Sequence, residues 1–250
     1  MTRRSIFITG ASRGIGAEIA REFADLGDRV AIHYGQSGEL AKKVLVSLKG
    51  SGHIAVQADL RNAGEIKQAV DEAANTFGGI DVLINNAGAF FAHPIETSTY
   101  EDWQKAWSDT LGINLIGAAN MTWCAVQHMP RNGGSRVVNV GSRGAFRGEP
   151  KSPAYGASKA ALSSFGQSIA QALAPLGISV TTLAPGFVNT DMASHLLDSS
   201  EGAAIRAQSP FNRVATPQEV AKAVLFLASP EAQWASGAIL DFNGASYLRM

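Results

Sequence analysis

Short apolar runs alternate with longer helical patterns along the 250 residues, and this alternation constrains the fold more than any other feature. The runs are strand candidates at residues 5–9, 29–33, 54–57, 82–84, 136–140, 178–183 and 238–241. The helical patterns between them span residues 14–27, 37–50, 62–77, 99–129, 154–175 and 216–229. Such alternation predicts an α/β fold with a doubly wound parallel sheet of about seven strands and helices on both faces. The runs lack strict polar alternation, as expected of strands that are covered on both sides.

The chain shows no internal boundary, since no repeat, low-complexity tract or Pro/Gly linker divides it. We therefore predict that residues 1–250 form a single domain. Residues 187–212 are the one long stretch without a strand candidate. We interpret that stretch as an insertion between the sixth strand and the last helix, and as a candidate lid.

Composition argues against several classes of protein. Basic and acidic side chains number 21 each, without a long run of one sign, which disfavours a nucleic acid or a membrane as the main partner. Cys124 is the only cysteine, so an intrachain disulfide is impossible, which suits a reducing compartment. The N-terminal apolar run is too short for a signal peptide, and no stretch approaches the roughly 20 apolar residues that span a membrane. The histidines lack metal-ligand spacing. We expect a soluble, cytoplasmic protein without a metal.

Glycine or polar clusters follow six of the strand candidates. They lie at residues 10–16, 34–37, 59, 85–88, 142 and 185–186. In an open parallel sheet the carboxyl ends of the strands line the crevice where ligands bind. We therefore expect the six clusters to meet at one edge of the sheet.

Tyr155 and Lys159 are spaced so that both side chains lie on one face of a helix. A fixed ammonium beside a phenol lowers the phenol pKa, which makes the phenol an efficient proton donor near neutral pH. Ser142, thirteen residues before Tyr155, could hold a substrate oxygen. Taken alone, the Tyr/Lys spacing could also arise by chance.

The glycines of residues 10–16 stand between a strand and a helix. That arrangement lets the backbone approach a pyrophosphate at a helix N-terminus, although a plain strand–helix turn has the same composition. Asp59, with Leu60, could accept a hydrogen bond from an adenine amino group or could cap the following helix. Residues 85–88 offer two amides and small residues where backbone passes close to a ligand.

Together these motifs resemble those of the short-chain dehydrogenase/reductase family over essentially the whole chain. The matching residues are 9–16, 85–88, Asn114, Ser142, Tyr155, Lys159, Pro185, Gly186 and Thr190. The resemblance implies a Rossmann-like, three-layer fold and hydride transfer between a nicotinamide and a carbonyl or alcohol. It implies that Lys159 also holds the nicotinamide ribose, and that Asn114 distorts its helix and anchors a water. It further implies a homotetramer or homodimer built on the helices at 99–129 and 154–175 and on the C-terminal segment.

The site residues predicted in this way fall into two groups. The catalytic residues are Asn114, Ser142, Tyr155 and Lys159. The cofactor-binding residues are Gly10, Ser12, Arg13, Gly14, Ile15, Gly16, Tyr34, Asp59, Leu60, Asn86, Ala87, Gly88, Tyr155, Lys159, Pro185, Gly186, Val188 and Thr190.

The second strand indicates which coenzyme is bound. A site selective for NAD needs an acid about 20 residues beyond the glycines to bind the ribose 2′-hydroxyl. Residues 33–37 contain no carboxylate, and the first acid beyond them is Glu39. Arg13 within the glycine loop could bind a 2′-phosphate. We therefore expect NADP(H) to be favoured over NAD(H).

Within the family the nearest general likeness is to the 3-oxoacyl-carrier-protein reductases, through residues 184–192 and 243–248. Two positions depart from that subgroup: Gly244-Ala245 replaces paired glycines, and Gln171 stands where a carrier-docking arginine is usual. We therefore expect a ketone, aldehyde or 3-oxoacyl reductase that turns over a small free carbonyl compound, anionic ones included, at least as well as a carrier-bound one. Arg143, Arg147 and Lys151 are the cations expected near its pocket.

Three alternatives stay open at this point. They are a non-catalytic nucleotide-binding regulatory protein on the same fold, an NAD-dependent alcohol dehydrogenase, and an epimerase or dehydratase with the same Tyr/Lys pair.

Overall fold

A computed structural model describes residues 3–131 and 133–249, without the side chains of Met192 and His195. Its centre is a seven-stranded sheet with the strand order β3-β2-β1-β4-β5-β6-β7. All paired strands are parallel. The strands are β1 Ser5–Ile8, β2 Arg29–Tyr34, β3 Ile54–Gln57, β4 Val82–Asn85, β5 Ser135–Val140, β6 Ile178–Pro185 and β7 Ile239–Phe242. The predicted doubly wound α/β fold is confirmed, and each strand end lies within two residues of its predicted position.

Helices cover both faces of this sheet. They are α1 Gly14–Asp25, α2 Gly38–Ser47, α3 Ala63–Phe77, α4 Tyr100–Leu111, α5 Ala118–Gln127, α6 Gly144–Arg147, α7 Pro153–Leu173, α8 Asp191–Leu197, α9 Gly202–Ala207 and α10 Pro217–Leu227. Two 3₁₀ turns, Ala174–Leu176 and Pro230–Ala235, complete the helical segments. No helix in the described ranges is long and apolar enough to cross a membrane.

Two hydrophobic clusters, one on each face of the sheet, explain why residues 6–8 of the strand β1 are all apolar. Along β1, Ile6 and Ile8 face one cluster, which includes side chains of α1 and α10. Phe7, between them, faces the other cluster, which includes side chains of α3, α5 and α7. Because both faces of the sheet are buried here, a polar side chain would be unfavourable at Ile6 and Ile8 on one face and at Phe7 on the other.

The structure differs from the sequence prediction in two segments. The helix predicted at 99–129 is interrupted by a π-helical turn, Gly112–Gly117, between α4 and α5. Residues 187–212 contain no strand, as predicted, but they form α8 and α9 and make an isolated bridge between Val188 and Ala215.

Candidate active site

The six clusters meet at the carboxyl edge of the sheet, as the strand order requires, and they surround a cavity of about 820 Å³. Every predicted cofactor-binding residue lines this cavity, and so does Ser142. Asn114 is the one predicted site residue that does not line it. Residues that the sequence prediction missed also line the cavity, among them His33, Arg61, Ala89 and Ile113. A cavity of this size is in the range that binds cofactors and other small molecules.

The glycine loop passes so close to the turn after β4 that larger residues would clash. A Cβ atom on Gly10 would lie 2.9 Å from the Ala87 Cα atom, and Gly10 has a φ of +64°. A Cβ atom on Gly16 would lie 2.5 Å from the Asn86 Nδ2 atom. These two glycines therefore permit a close approach of backbone segments, which is the role expected of a dinucleotide-binding loop.

Hydrogen bonds fix that approach. The Thr9 hydroxyl accepts from the backbone N–H groups of Asn86 and Ala87, each at 2.9 Å. The Asn86 side-chain amide donates to the carbonyls of Thr9 and Gly10, at 2.9 and 3.1 Å. The glycine loop and the turn after β4 therefore form one rigid wall of the cavity.

His33 supports the same loop from the end of β2. Its Nδ1 atom accepts from the Gly10 backbone N–H at 3.1 Å, and its Nε2 atom is 3.1 Å from the Ala58 carbonyl. Burial lowers the pKa of His33 to about 4, although the hydrogen bond to Ala58 opposes this shift. The ring is therefore neutral at physiological pH, with its proton on Nε2. A lone histidine inside an apolar strand gives no sequence signal for this role.

Asp59 does not cap the following helix, and that interpretation is wrong. The Asn62 side chain accepts from the backbone N–H groups of Gly64 and Glu65 and caps α3. The Asp59 carboxylate instead binds the Arg61 guanidinium, with 2.6 Å between Oδ2 and Nη2. Hydrogen bonding from Arg61 lowers the pKa of Asp59. Asp59 still lines the cavity, so its contact with an adenine stays a prediction.

Asn114 lies in the π-helical turn, so the helix is distorted at the residue where the family resemblance implies it. The side chain is almost fully buried and makes three hydrogen bonds. Its Oδ1 atom accepts from the Ala89 N–H at 2.7 Å, and its Nδ2 group donates to the Ala89 carbonyl and to the Ser158 hydroxyl, both at 3.0 Å. Asn114 therefore connects the turn after β4 to helix α7. The water that Asn114 is expected to anchor stays a prediction.

Tyr155 and Lys159 lie on α7 beside Ser142. The Lys159 Nζ atom lies over the Tyr155 ring, 5.8 Å from its centroid, and donates to the Val140 carbonyl at 2.8 Å. The Ser142 hydroxyl accepts from the Gly144 N–H at 3.0 Å and lies near enough to the Tyr155 hydroxyl to affect its pKa. The Phe90 ring packs edge-on against Tyr155, with 5.1 Å between ring centroids. Three of the four predicted catalytic residues, Ser142, Tyr155 and Lys159, therefore have neighbouring side chains.

The predicted lowering of the Tyr155 pKa by Lys159 is wrong in direction. Burial raises the pKa of the Tyr155 hydroxyl, and the hydrogen bond with Ser142 only opposes that shift. Burial also lowers the pKa of Lys159, to about 8. The spacing correctly placed both groups on one helix face, but the ammonium is bound to the Val140 carbonyl. Desolvation is the largest cause of both pKa shifts, and the nearby Glu149 charge raises the pKa of Tyr155 further.

His93 lies beneath the site. Its Nε2 atom accepts from the Ala154 N–H at 3.1 Å, and its Nδ1 atom donates to the Phe91 carbonyl at 2.7 Å. The ring also packs edge-on against Trp103. His93 is therefore a buried support for the start of α7.

The expected cluster of exposed cations near the pocket is only partly present. Arg143 is 3% exposed, and its guanidinium lies over the Phe187 ring at 5.1 Å and donates to the Gln208 side-chain oxygen. Burial lowers the pKa of Arg143 to about 10, so it stays charged at neutral pH. Lys151 is exposed but is paired with Glu201 at 3.3 Å. Arg143 is therefore not a surface cation, because residues 187–212 cover it.

Comparison with known proteins places this site in a family. Residues 10–244 match the family model described as enoyl-(acyl carrier protein) reductase. The chain is 34% identical over 247 residues to the 3-oxoacyl-(acyl-carrier-protein) reductase FabG of Staphylococcus aureus, and the match covers 98% of each chain. It is 35% identical over 242 residues to the enzyme of the same name from Vibrio cholerae, with 96% of each chain covered.

Solved structures agree with these relatives. A short chain dehydrogenase of Burkholderia cenocepacia, in complex with NADP, superposes with a TM-score of 0.88 and 35% identity over 97% of each chain. A blue fluorescent protein from a metagenomic library, in complex with NADPH, gives a TM-score of 0.88 and 32% identity over 98% of each chain. The fold of this chain is thus that of a short chain dehydrogenase.

Proposed function

The chain belongs to the short-chain dehydrogenase/reductase family and is an oxidoreductase, and we propose that it transfers hydride between NADP(H) and a small carbonyl or alcohol substrate. The observation that supports this most is the convergence of Ser142, Tyr155 and Lys159 at the cavity lined by the glycine loop. The experiment is turnover of a carbonyl panel with NADPH, followed by loss of its absorbance. Turnover of a ketone, an aldehyde or a 3-oxoacyl thioester supports the proposal, and none with any of them counts against it.

The cavity fits a dinucleotide. The glycine loop leads into the N-terminus of α1, whose N–H groups are not capped by any described side chain, so they are free to bind a pyrophosphate. A Cβ atom on Gly88 would lie 3.3 Å from the Lys159 Nζ atom. Gly88 therefore leaves Lys159 accessible beside the cavity, where it would hold the nicotinamide ribose. The coenzyme would supply or accept the hydride.

The chain's own residues would handle the proton and the developing negative charge. The Tyr155 hydroxyl donates the proton to the carbonyl oxygen during reduction. The Ser142 hydroxyl accepts from the Gly144 N–H, and its proton, which interacts with the Tyr155 oxygen in this structure, would turn to the substrate oxygen and stabilise it. The charged Lys159 stabilises the tyrosinate that forms. Asn114 holds the turn after β4 against α7 and so keeps Tyr155 and Lys159 in place.

We expect purified protein to bind NADPH more tightly than NADH. Arg13 is exposed at the cavity, and residues 34–37 line it without an acid. Arg13→Ala should lower the ratio of NADPH affinity to NADH affinity by roughly 10-fold or more, because a charge-assisted contact to the 2′-phosphate is lost. Fluorescence titration of both coenzymes measures the ratio. Arg21→Ala is the matched control, because Arg21 lies on α1, the helix that follows Arg13, and already pairs with Glu18. Equal or better NADH affinity of the wild type would reverse the assignment and favour the NAD-dependent alternative.

The substrate class is narrower than the family alone implies. The 3-oxoacyl-(acyl-carrier-protein) reductase names of the relatives favour a 3-oxoacyl or similar ketone. The rival function is that of a non-catalytic nucleotide-binding protein. Such a protein would not need Ser142 beside the Tyr155 hydroxyl, or the Lys159 ammonium over the Tyr155 ring.

The proposal also covers the domain organisation, the cellular location and the oligomeric state of the protein. We propose that residues 1–250 act as one dinucleotide-binding and catalytic domain, that residues 187–212 form the substrate lid, and that the enzyme is cytoplasmic. We also propose a homotetramer or homodimer. Ile116 and Trp123 support this association, because both are more than half exposed on the long helical stretch predicted to pack between subunits. Light scattering that gives a monomer mass would contradict it.

A further inference from the structure

A second, smaller cavity of about 280 Å³ lies beside the candidate active site. Four charged side chains line it, namely Arg143, Arg213, Glu219 and Asp241. Arg213 pairs with Glu219 at 2.7 Å, and Asp241 pairs with Arg249 at 2.8 Å. Within residues 3–131 and 133–249, no ion pair involves Arg143. Arg143 is therefore the one charged side chain of this lining without an ion-pair partner among the described residues, and the charge of Glu149, which is outside the lining, acts on it only at longer range.

Two guanidinium groups converge on one neutral oxygen at the wall of this cavity. The Gln208 side-chain oxygen accepts from Arg143 and also from Arg147, the latter at 3.1 Å. The acid nearest in sequence, Glu149, packs against Gly144, where a Cβ atom would lie 2.6 Å from its carboxylate oxygen. No hydrogen bond joins Glu149 to either arginine among the described residues. The buried Arg143 guanidinium therefore has a neutral hydrogen-bond acceptor and a more distant acid, but it lacks a carboxylate in direct contact, which is its most favourable partner.

The walls of the two cavities contain neighbouring residues at the ends of β5 and β6. The larger cavity is lined by Ser142 and Gly186, and the smaller cavity by the next residues in the chain, Arg143 and Phe187. A substrate whose carbonyl oxygen lies at Ser142 can therefore extend its other end toward Arg143. The Phe187 ring beneath the guanidinium excludes water and leaves the edge of that group, which carries the N–H donors, for a ligand.

From this geometry we infer that Arg143 binds the carboxylate of the substrate, so that the enzyme prefers oxo carboxylates over neutral carbonyl compounds of the same size. The inference rests on the proposed function and specifies its substrate class. Gln208 belongs to the proposed lid. When a substrate binds, its carboxylate oxygen would replace the Gln208 oxygen as the acceptor, or both oxygens would accept hydrogen bonds from Arg143 and Arg147.

The experiment compares a series of linear oxo carboxylates of increasing length with their methyl esters. For the fitting length, kcat/KM of the acid should exceed that of the ester by roughly 10- to 100-fold, the value of a hydrogen bond to a charged partner. Gln208→Glu would place a carboxylate on Arg143 and should abolish this preference with almost no change in side-chain shape. Arg143→Gln should abolish the preference for the acid as well, and Arg143→Lys should retain part of it.

Arg213→Gln is the matched control, because Arg213 lines the same cavity but already pairs with Glu219. This variant should leave the acid-to-ester ratio of kcat/KM unchanged.

Calorimetric titration of the NADP⁺-loaded Tyr155→Phe protein with the acid and the ester separates this inference from the proposed function. If esters are reduced as well as acids, or if the acid preference survives in both Gln208→Glu and Arg143→Gln, the inference is wrong while the proposed function stands. If neither acids nor esters are reduced but the acid binds through Arg143, the inference about binding stands and the proposed function fails. Thermal melting of each variant shows that the comparison is made between folded proteins.

Discussion

Tyr155→Phe should lower turnover of the true substrate by roughly 10²- to 10⁴-fold, the usual contribution of a positioned general acid. The substitution removes only the hydroxyl that the structure places beside Ser142, and the ring keeps its contact with Phe90. NADPH affinity should stay within a fewfold of wild type, because Lys159 and the glycine loop are untouched. Steady-state kinetics and coenzyme titration measure the two effects separately.

Tyr100→Phe is the matched control for that substitution. Tyr100 is exposed, and its hydroxyl accepts a hydrogen bond from Gln104 far from the cavity lining. This variant should have wild-type kinetics. A Tyr155→Phe enzyme with near wild-type turnover would show that another group supplies the proton.

Lys159→Met should impair coenzyme binding and turnover together. The ammonium is buried and donates to the Val140 carbonyl beside the cavity. Methionine keeps much of the volume but removes the charge, so we expect coenzyme affinity to fall roughly 10- to 100-fold, as for a lost hydrogen bond to a charged donor. A further loss of about 10²-fold in kcat should follow, because the tyrosinate is no longer stabilised.

The matched control here is Lys67→Met, since Lys67 is an exposed residue of α3 that pairs with Asp71. Lys67→Met should leave both the NADPH affinity and kcat unchanged. Equilibrium titration of NADPH, with kcat measured at saturating coenzyme, separates the two effects. If Lys159→Met changed thermal stability alone, with both constants intact, Lys159 would be a structural residue only.

The sheet and the location of the site could be predicted from the sequence because both follow from local patterns. The apolar run at residues 6–8 of β1 is buried on both faces, and the polar Thr9 and then Gly10 mark its end in the sequence. Parallel strands then place their carboxyl ends at one edge, which is why the residues at the glycine loop, at Asn86 and at Ser142 line one cavity.

What the sequence could not predict depends on contacts between distant segments. Asp59 and Asn62 are equally good helix caps in isolation, and the choice is made by Arg61, which engages Asp59. Arg143 looks like a surface cation until residues 187–212 fold over it. The spacing of Tyr155 and Lys159 gives their shared face but not the direction of the ammonium or the depth of burial, and these determine the pKa of each group.

Transfer of deuterium from labelled coenzyme tests the central claim, hydride transfer, most directly. The purified protein is incubated with NADPH that carries deuterium on the transferable position of the nicotinamide, together with the carbonyl panel, and the alcohol products are examined by mass spectrometry. Our account predicts that the alcohol carries deuterium on its carbinol carbon and that Tyr155→Phe forms it far more slowly. Tight binding of NADPH with no labelled alcohol from any ketone, aldehyde or 3-oxoacyl thioester would contradict the account and would favour a nucleotide-binding protein without this chemistry.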